Sequence, residues 1–434
     1  MYGWIPRRRA ERASRREQVA KLLVTPPGKI GKSVRGAEDP EGACAECAAA
    51  GIDLTLLDRY QARVAHTHRR INMVVVEVGH RRAGALERAL RRLGFAVERP
   101  SQVVPMLDQS VPLMAVDQAW RAGSTGASAR IGVVDTGVDR SHPDLRGRIA
   151  AYQDFTDTGL VDGVGHGTHV CGIAGGAGVR YRGVAPAASL VIAKVLTEEG
   201  GDTADVIAGL SWLSSQKVDV INISLGGGGT PDDPLSRECE ALTRDGITVC
   251  VAAGNEGPDP STISSPGCAP SVITVGAVDK TDRLSAYSSR GPVRWKRKTI
   301  SKPDLVAVGG GVDSKAACPY APGVTSARST KAGRSACDVI VSRTVRRYVR
   351  MSGTSMATPH VTGVVALLVD VARRMGHGIA PGDLKSILQK SSRKLKYKEN
   401  EQGAGRLDAL AALKLLQETI NARDAPRRAA ARCR

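Results

Sequence analysis

Five nearly unbroken apolar runs punctuate the chain: ARIGVVDT (129–136), SLVIAKVL (189–196), VDVINISL (218–225), ITVCVAAG (247–254) and SVITVGAV (271–278). They are short and rich in Val and Ile, without the strict alternation of a strand that has one wet face. Such runs predict strands buried on both faces, hence a parallel sheet with helices on each side. Between them, TADVIAGLSWLSSQ (203–216) and PLSRECEALTRDG (234–246) have helical spacing and predict crossover helices. The segment SMATPHVTGVVALLVDVARR opens at Ser355 and predicts a largely buried helix. Pro359 is placed in its first turn, where a missing amide hydrogen costs little.

Upstream the pattern is different. INMVVVEV (71–78) predicts a strand, AGALERALRRLG (83–94) an amphipathic helix and FAVERPSQVVPM (95–106) a returning strand, together a small α+β unit. It ends in an extended stretch from Val103 to Asp108. Residues 1–43, basic and then rich in Gly, Pro and Glu, predict a poorly ordered segment. The expected organisation is therefore 1–43 disordered, 44–107 α+β, 108–415 a main α/β domain and 416–434 a basic tail. A basic insertion at about 308–351 is expected to be a flexible surface loop, with a disulfide-tied flap or a contact for an acidic partner as the alternatives.

With 434 residues, 42% of them hydrophobic, the chain can bury a substantial core, but aromatics are only 3%, so packing must rely on Val, Leu, Ile, Ala and Gly. The net charge of +19 raises the question of nucleic acid. Basic residues gather in 1–30, in 290–350 and after Ala422, and no nucleic-acid motif accompanies them, so solvated tails and loops are expected and no nucleic-acid partner. No run of 18 apolar residues occurs, and no membrane span is expected. The basic N-terminal stretch lacks an apolar h-region and a small-residue cleavage site, which predicts a cytoplasmic protein or one released without a recognisable signal peptide. Nine cysteines are scattered rather than arranged as a disulfide framework. Cys171 and Cys250 fall inside apolar motifs and read as small core residues. Cys44 and Cys47, with His66 and His68, have poor zinc spacing. Cys318 and Cys337 bracket an irregular segment and would pair in an oxidising environment.

Four short segments carry candidate chemistry. Asp135 ends an apolar run, and a carboxylate there is costly unless hydrogen-bonded or paired, which suits a residue that orients a histidine. The same DTG tripeptide marks aspartic proteases, but those need a second such carboxylate and no second DTG occurs. His166 lies between Gly165 and Gly167 at the expected start of a helix, where glycines permit close approach of backbone. His169, three residues on, forms an HxxH pair without a nearby carboxylate ligand and reads as structural. Ser355 at a helix N-terminus has unpaired backbone N–H groups and the positive dipole end beside its oxygen. Alone it reads as an N-cap. Asn255 follows an apolar run and offers a side-chain amide, although an αL turn residue is the ordinary role of Asn between glycines. Asp135, Ser224 and Asn255 all fall at C-terminal strand ends, where open α/β sheets place their sites.

With VVDTGVD, GHGTHV, AAGNEG and GTSMATPH in that order, the chain from about Gln109 to Leu413 resembles the subtilisin-like serine peptidases. The resemblance implies a three-layer α/β fold, with a mostly parallel sheet flanked by helices. It implies a serine endopeptidase with Asp135 as orienting acid, His166 as general base and Ser355 as nucleophile. Asn255 and the Ser355 backbone N–H would form the oxyanion hole. Ser224, Leu225 and Gly226 would pair with the substrate backbone. Ala252, Ala253 and Gly254 would wall an apolar S1 pocket with Glu256 at its mouth, so a large apolar P1 residue is expected, with Lys tolerated. The α+β unit resembles the family's inhibitory propeptide, which implies self-cleavage between Leu107 and Asp108. No cofactor is required for the chemistry. Gln109 and Asp144 match calcium-binding positions of the family, but the loop 174–183 has no Asn or Asp and carries Arg180 and Arg182, so strong calcium binding is not expected. Protein or peptide substrates, the propeptide as intramolecular inhibitor and a monomeric state complete the expectation. The competing class is a catalytically idle homologue that binds polyanions or proteins through its basic insertion.

Overall fold

The computed structural model describes residues 19–27, 51–68, 72–98, 109–340 and 346–432. The chain folds as two compact units, the first ending at Val104 and the second starting at Pro105.

The first unit contains β1 (Val19–Thr25), α1 (Leu54–Arg59), β2 (Arg63–His68), β3 (Met73–Gly79), α2 (His80–Arg92) and β4 (Ala96–Glu98). Its strands form an antiparallel sheet in the order β2-β3-β1-β4. α2 buries Ala83, Leu86 and Leu90, one stripe of an amphipathic helix, in a core shared with Leu22, Val24, Val74, Val76 and Val78. The expectation of disorder throughout 1–43 is corrected here. β1 sits inside the sheet, because Leu22 and Val24 complete a core that β3 and α2 cannot close alone. Of the predicted returning strand, β4 lies within the described residues, whereas Leu107 and Asp108 lie outside them.

The second unit is built on a seven-stranded sheet. Its strands are β5 (Arg130–Asp135), β6 (Ile149–Asp154), β7 (Ser189–Lys194), β8 (Val220–Ile223), β9 (Thr248–Ala252), β10 (Ile273–Val278) and, after the hairpin β11 (Val293–Trp295) and β12 (Lys298–Ile300), β13 (Leu305–Val308). The order is β13-β10-β9-β8-β5-β7-β6 and every pairing is parallel. The unbroken apolar runs follow from this arrangement. In β5, Val133 faces the core cluster containing Val364 and Leu368, and Val134 faces the opposite cluster with Leu210 and Leu242. Neither face is free to carry polar residues.

The helices are α3 (Ser110–Leu113), α4 (Val116–Arg121), α5 (His166–Gly175), α6 (Thr203–Ser215), α7 (Pro234–Arg244), α8 (Thr354–Arg374), α9 (Pro381–Ser391), α10 (Glu399–Gln402) and α11 (Ala409–Arg432). α6 and α7 cover one face of the sheet, and α5 and α8 pack in the other cluster. α8 is apolar and long enough to cross a bilayer, yet its apolar stretch is 94% buried, so its hydrophobicity is spent in the core. Pro359 is the sixth residue of α8, not part of the first turn. The expected boundary at residue 415 also fails, because α11 runs through it and buries Leu416 and Ile420.

The described residues of the insertion form a small sheet rather than a loose loop. β14 (Val324–Ala327), β15 (Asp338–Ile340) and β16 (Arg346–Met351) form an antiparallel sheet in the order β14-β16-β15, and Cys318 is disulfide-bonded to Cys337. Val324, Ala327 and Val349 are buried, which a solvated loop would not allow.

Candidate active site

The parallel sheet sends the C-terminal ends of β5, β8 and β9 to one edge, and the chain reverses its winding around β5, whose neighbours are β7 and β8. A crevice forms at such a switch point. Asp135 is the last residue of β5, Ser224 follows β8 and Asn255 lies three residues beyond β9. His166 opens α5 and Ser355 is the second residue of α8.

Asp135 is fully buried, and its Oδ1 accepts hydrogen bonds from His166 Nδ1 at 2.8 Å and from the Thr136 amide at 2.7 Å. The imidazole itself remains 27% exposed, so a reactant can reach it. The glycines beside His166 have separate reasons. Gly165 is left-handed at φ 88°, and a Cβ on Gly167 would meet the Gly137 carbonyl oxygen at 2.2 Å. Only a glycine at 167 lets α5 start this close to the Asp135 turn. Asp162 holds the same turn. Its carboxylate accepts from Thr136 Oγ1 (2.9 Å), the Gly165 amide (2.7 Å), the Thr168 amide (2.9 Å) and Thr168 Oγ1 (2.5 Å).

Burial pulls the His166 pKa down, but the charge and hydrogen bond of Asp135, aided by the charge of Asp162, more than offset it and hold the imidazole above its ordinary 6.5. His169 behaves oppositely. Burial pushes it down to about 3, and neutral Nε2–H donates to the carbonyls of Val324 (3.1 Å) and Val349 (3.2 Å), tying α5 to the insertion's sheet. It is structural, as its sequence context suggested.

Ser355 Oγ donates to the Ser224 carbonyl at 3.1 Å, so in this rotamer its proton is directed away from His166, with which it lines one cavity. In return Ser224 Oγ donates to the Ser355 carbonyl at 2.9 Å. That carbonyl would ordinarily accept from the amide four residues on, which is Pro359, a residue without N–H. The proline thus frees the acceptor that Ser224 uses. Behind it, Asn222 Nδ2 donates to Ser224 Oγ at 2.9 Å, and Thr362 Oγ1 donates to Asn222 Oδ1 at 2.9 Å.

The Asn255 amide is oriented by its neighbours. Its Oδ1 accepts from the Thr354 backbone N–H at 3.0 Å and from Thr354 Oγ1 at 3.1 Å. A backbone N–H can only donate, so the flip is settled and the Nδ2 group is left for the cavity. Ser224, Leu225 and Gly226 line a second cavity of about 630 Å³ that His166 also borders. Ala252, Ala253 and Gly254 line neither of these two cavities, and the Ala253 methyl is buried with Ile263, Cys268 and Val293. Glu256 Oε2 accepts from Ser289 Oγ at 2.8 Å.

Asn222, Thr362 and Asp162 are site-shaping residues that the sequence pattern did not single out. One signal was present for Asn222, a polar residue inside the apolar run 218–225. The residues at the expected calcium position do not fit an ion. Asp144 Oδ2 accepts from Tyr348 Oη at 2.9 Å, the Tyr348 ring packs on Tyr181 with centroids 4.4 Å apart, and the Arg180 guanidinium lies over Tyr181.

Comparison with known proteins decides the family. The subtilase family profile matches residues 126–405, about two thirds of the chain. The chain belongs to the subtilase family. It is a serine endopeptidase of subtilisin-like fold. It is 36% identical to the serine protease AprX of Bacillus subtilis (strain 168) over 339 residues, 71% of this chain and 72% of AprX. It is 37% identical to subtilisin E of the same organism over 253 residues, 57% of each chain. Among solved structures, a protease from Pseudoalteromonas arctica PAMC 21717 superposes with a TM-score of 0.60 at 26% identity, over 72% of this chain and 98% of that one.

Proposed function

We propose that this subtilase hydrolyses peptide bonds through Asp135, His166 and Ser355 by way of an acyl-enzyme. The observation that carries the reading is the 2.8 Å bond from buried Asp135 to His166, at a cavity that also holds Ser355 and Asn255. Substrate entry turns the Ser355 hydroxyl from the Ser224 carbonyl to His166 Nε2, which takes its proton as Oγ attacks the carbonyl carbon. Asp135 keeps Nδ1 protonated and stabilises the imidazolium. Negative charge on the tetrahedral oxygen is met by Asn255 Nδ2–H and the Ser355 N–H, donors fixed before the reaction begins. His166 then protonates the leaving amine, and water repeats the sequence on the acyl group.

The acyl side of the substrate runs along Ser224–Gly226 as an added strand, and a large apolar P1 residue is preferred, with the Ala252–Gly254 segment contributing backbone alone to its pocket. The first unit acts as an intramolecular inhibitor removed by cleavage near Leu107–Asp108. Its antiparallel sheet with a packed helix supports an independently folding element.

A fluorophosphonate probe tests the chemistry. Wild-type protein should be labelled on Ser355 and begin near Asp108 after maturation, whereas Ser355→Ala should be unlabelled and keep residues 1–107 attached. Labelling that survives Ser355→Ala sinks the assignment.

A further inference from the structure

His166 borders both the 630 Å³ cavity lined by Ser224–Gly228 and one of 330 Å³ lined by Asn255 and Ser355. If the acyl side of a substrate occupies the first, as proposed above, the second receives the residues that leave. The insertion supplies much of its wall. Tyr320 borders it from one limb, and Ser335 with Asp338 from the other. The Cys318–Cys337 disulfide joins these two limbs, two residues from Tyr320 and next to Asp338.

The second limb is braced around one guanidinium. Arg328 Nε donates to Asp338 Oδ1 at 2.8 Å, and its other nitrogens donate to the carbonyls of Ser329 (3.0 Å), Ala332 (3.0 Å) and Gly333 (2.7 Å). Ser329 Oγ donates to the Asp162 carbonyl at 2.6 Å, and Thr330 donates twice to Asp139 Oδ2, at 2.8 Å from its amide and 2.7 Å from its hydroxyl. The limb is thus bonded to the segments that lead out of Asp135 and into His166. Arg328 is neutralised by buried Asp338, with side chains 10% and 1% exposed, so it contributes little net charge to the cavity. Met351, Met356 and Val164 add apolar surface, Tyr320 presents a ring that is 41% exposed, and Arg350 adds positive charge.

We propose that the disulfide-tied insertion makes this enzyme select substrates on the leaving-group side. It favours a bulky apolar residue directly after the scissile bond and rejects a basic one, with Tyr320 as the contact and Cys318–Cys337 as the brace. The inference rests on the endopeptidase reading, and two substrate types separate them. A peptide p-nitroanilide has no residue after the cleaved bond. Internally quenched peptides carry Phe or Lys there with all else equal.

Wild-type enzyme should hydrolyse the anilide and prefer Phe over Lys by about tenfold or more in kcat/KM. The Cys318→Ser/Cys337→Ser variant should keep anilide kcat/KM within about twofold, while KM for the Phe peptide rises and the Phe/Lys ratio falls toward one. Tyr320→Ala, which leaves the disulfide intact, should lower the same ratio and decides the matter if the double variant does not fold. A wild-type ratio near one overturns the inference, as does an unchanged ratio in Tyr320→Ala or a parallel loss on anilide and peptide in the double variant. Failure of wild-type enzyme on the anilide would remove the endopeptidase reading and this inference with it.

Discussion

At Asn255 a single backbone donor decides which end of the amide faces the cavity. The Thr354 N–H fixes Oδ1, so the amide N–H₂ is presented without any movement at the moment of reaction. Asn255→Ala should therefore lower kcat by about 10²–10³ with KM nearly constant, since the interaction strengthens only as the oxyanion forms. Steady-state kinetics on one peptide substrate checks this. His166 predicts the pH profile. With its neutral form as the proposed base and its pKa held above 6.5, kcat/KM should be low in acid and rise through a midpoint above 6.5. Asp135→Asn removes the largest raising influence. The midpoint should move to lower pH while the plateau falls about 10⁴-fold, and an unmoved midpoint would show that Asp135 does not tune the imidazole. The residue types at these positions were legible because few side chains can do such chemistry. Their hydrogen-bond partners were not, since Asp162 and Thr136 act through contacts between separate loops.

At the scale of elements, α8 shows how a local irregularity becomes useful. A proline in the sixth position leaves the Ser355 carbonyl without its helical donor, and this half-buried carbonyl takes another. Ser224 supplies it from the end of β8, and Asn222 and Thr362 complete a chain of bonds between strand and helix. Thr362→Val keeps shape but leaves Asn222 Oδ1 buried without that donor. It should cost about 1–3 kcal/mol of stability, measured by urea unfolding, with the acid limb of the pH profile unchanged. A variant as stable as the wild type would mean that the chain of bonds is dispensable. The strands and crossover helices themselves were legible to within a few residues, because burial on both faces or on one stripe leaves a period in the sequence. β6, with its half-exposed pattern, left too weak a period to read.

Across the whole second unit, one buried charge cluster pins the far edge of the sheet. Asp304, just before β13, binds Lys302 Nζ at 2.7 Å, Lys385 Nζ of α9 at 2.9 Å and the Thr274 amide of β10 at 2.8 Å. Burial lowers the Lys302 pKa to about 8, against the pull of Asp304, whose own carboxyl the two ammonium groups hold below the usual range despite its burial. Asp304→Ala would leave Lys302 buried without its counter-charge, and a loss of about 3–5 kcal/mol is expected in denaturant unfolding. A midpoint shift smaller than that of Thr362→Val would show the cluster to be replaceable.

Local order settled a great deal before any fold was known. Apolar runs without alternation dictate a sheet covered on both sides, and four motifs in the order Asp, His, Asn, Ser nominate a candidate acid, base, amide and nucleophile. Those properties depend on residue type and on neighbours one to four positions away, which the linear chain already contains. The tertiary structure alone decided which end of Asn255 faces the cleft, where the Ser355 proton rests, that Val19–Thr25 belongs inside a sheet, and that a basic insertion borders the cleft instead of trailing in solvent. Each of these turns on groups tens to hundreds of residues apart. Buried polar atoms must find partners, and only the folded chain determines which partners are within reach.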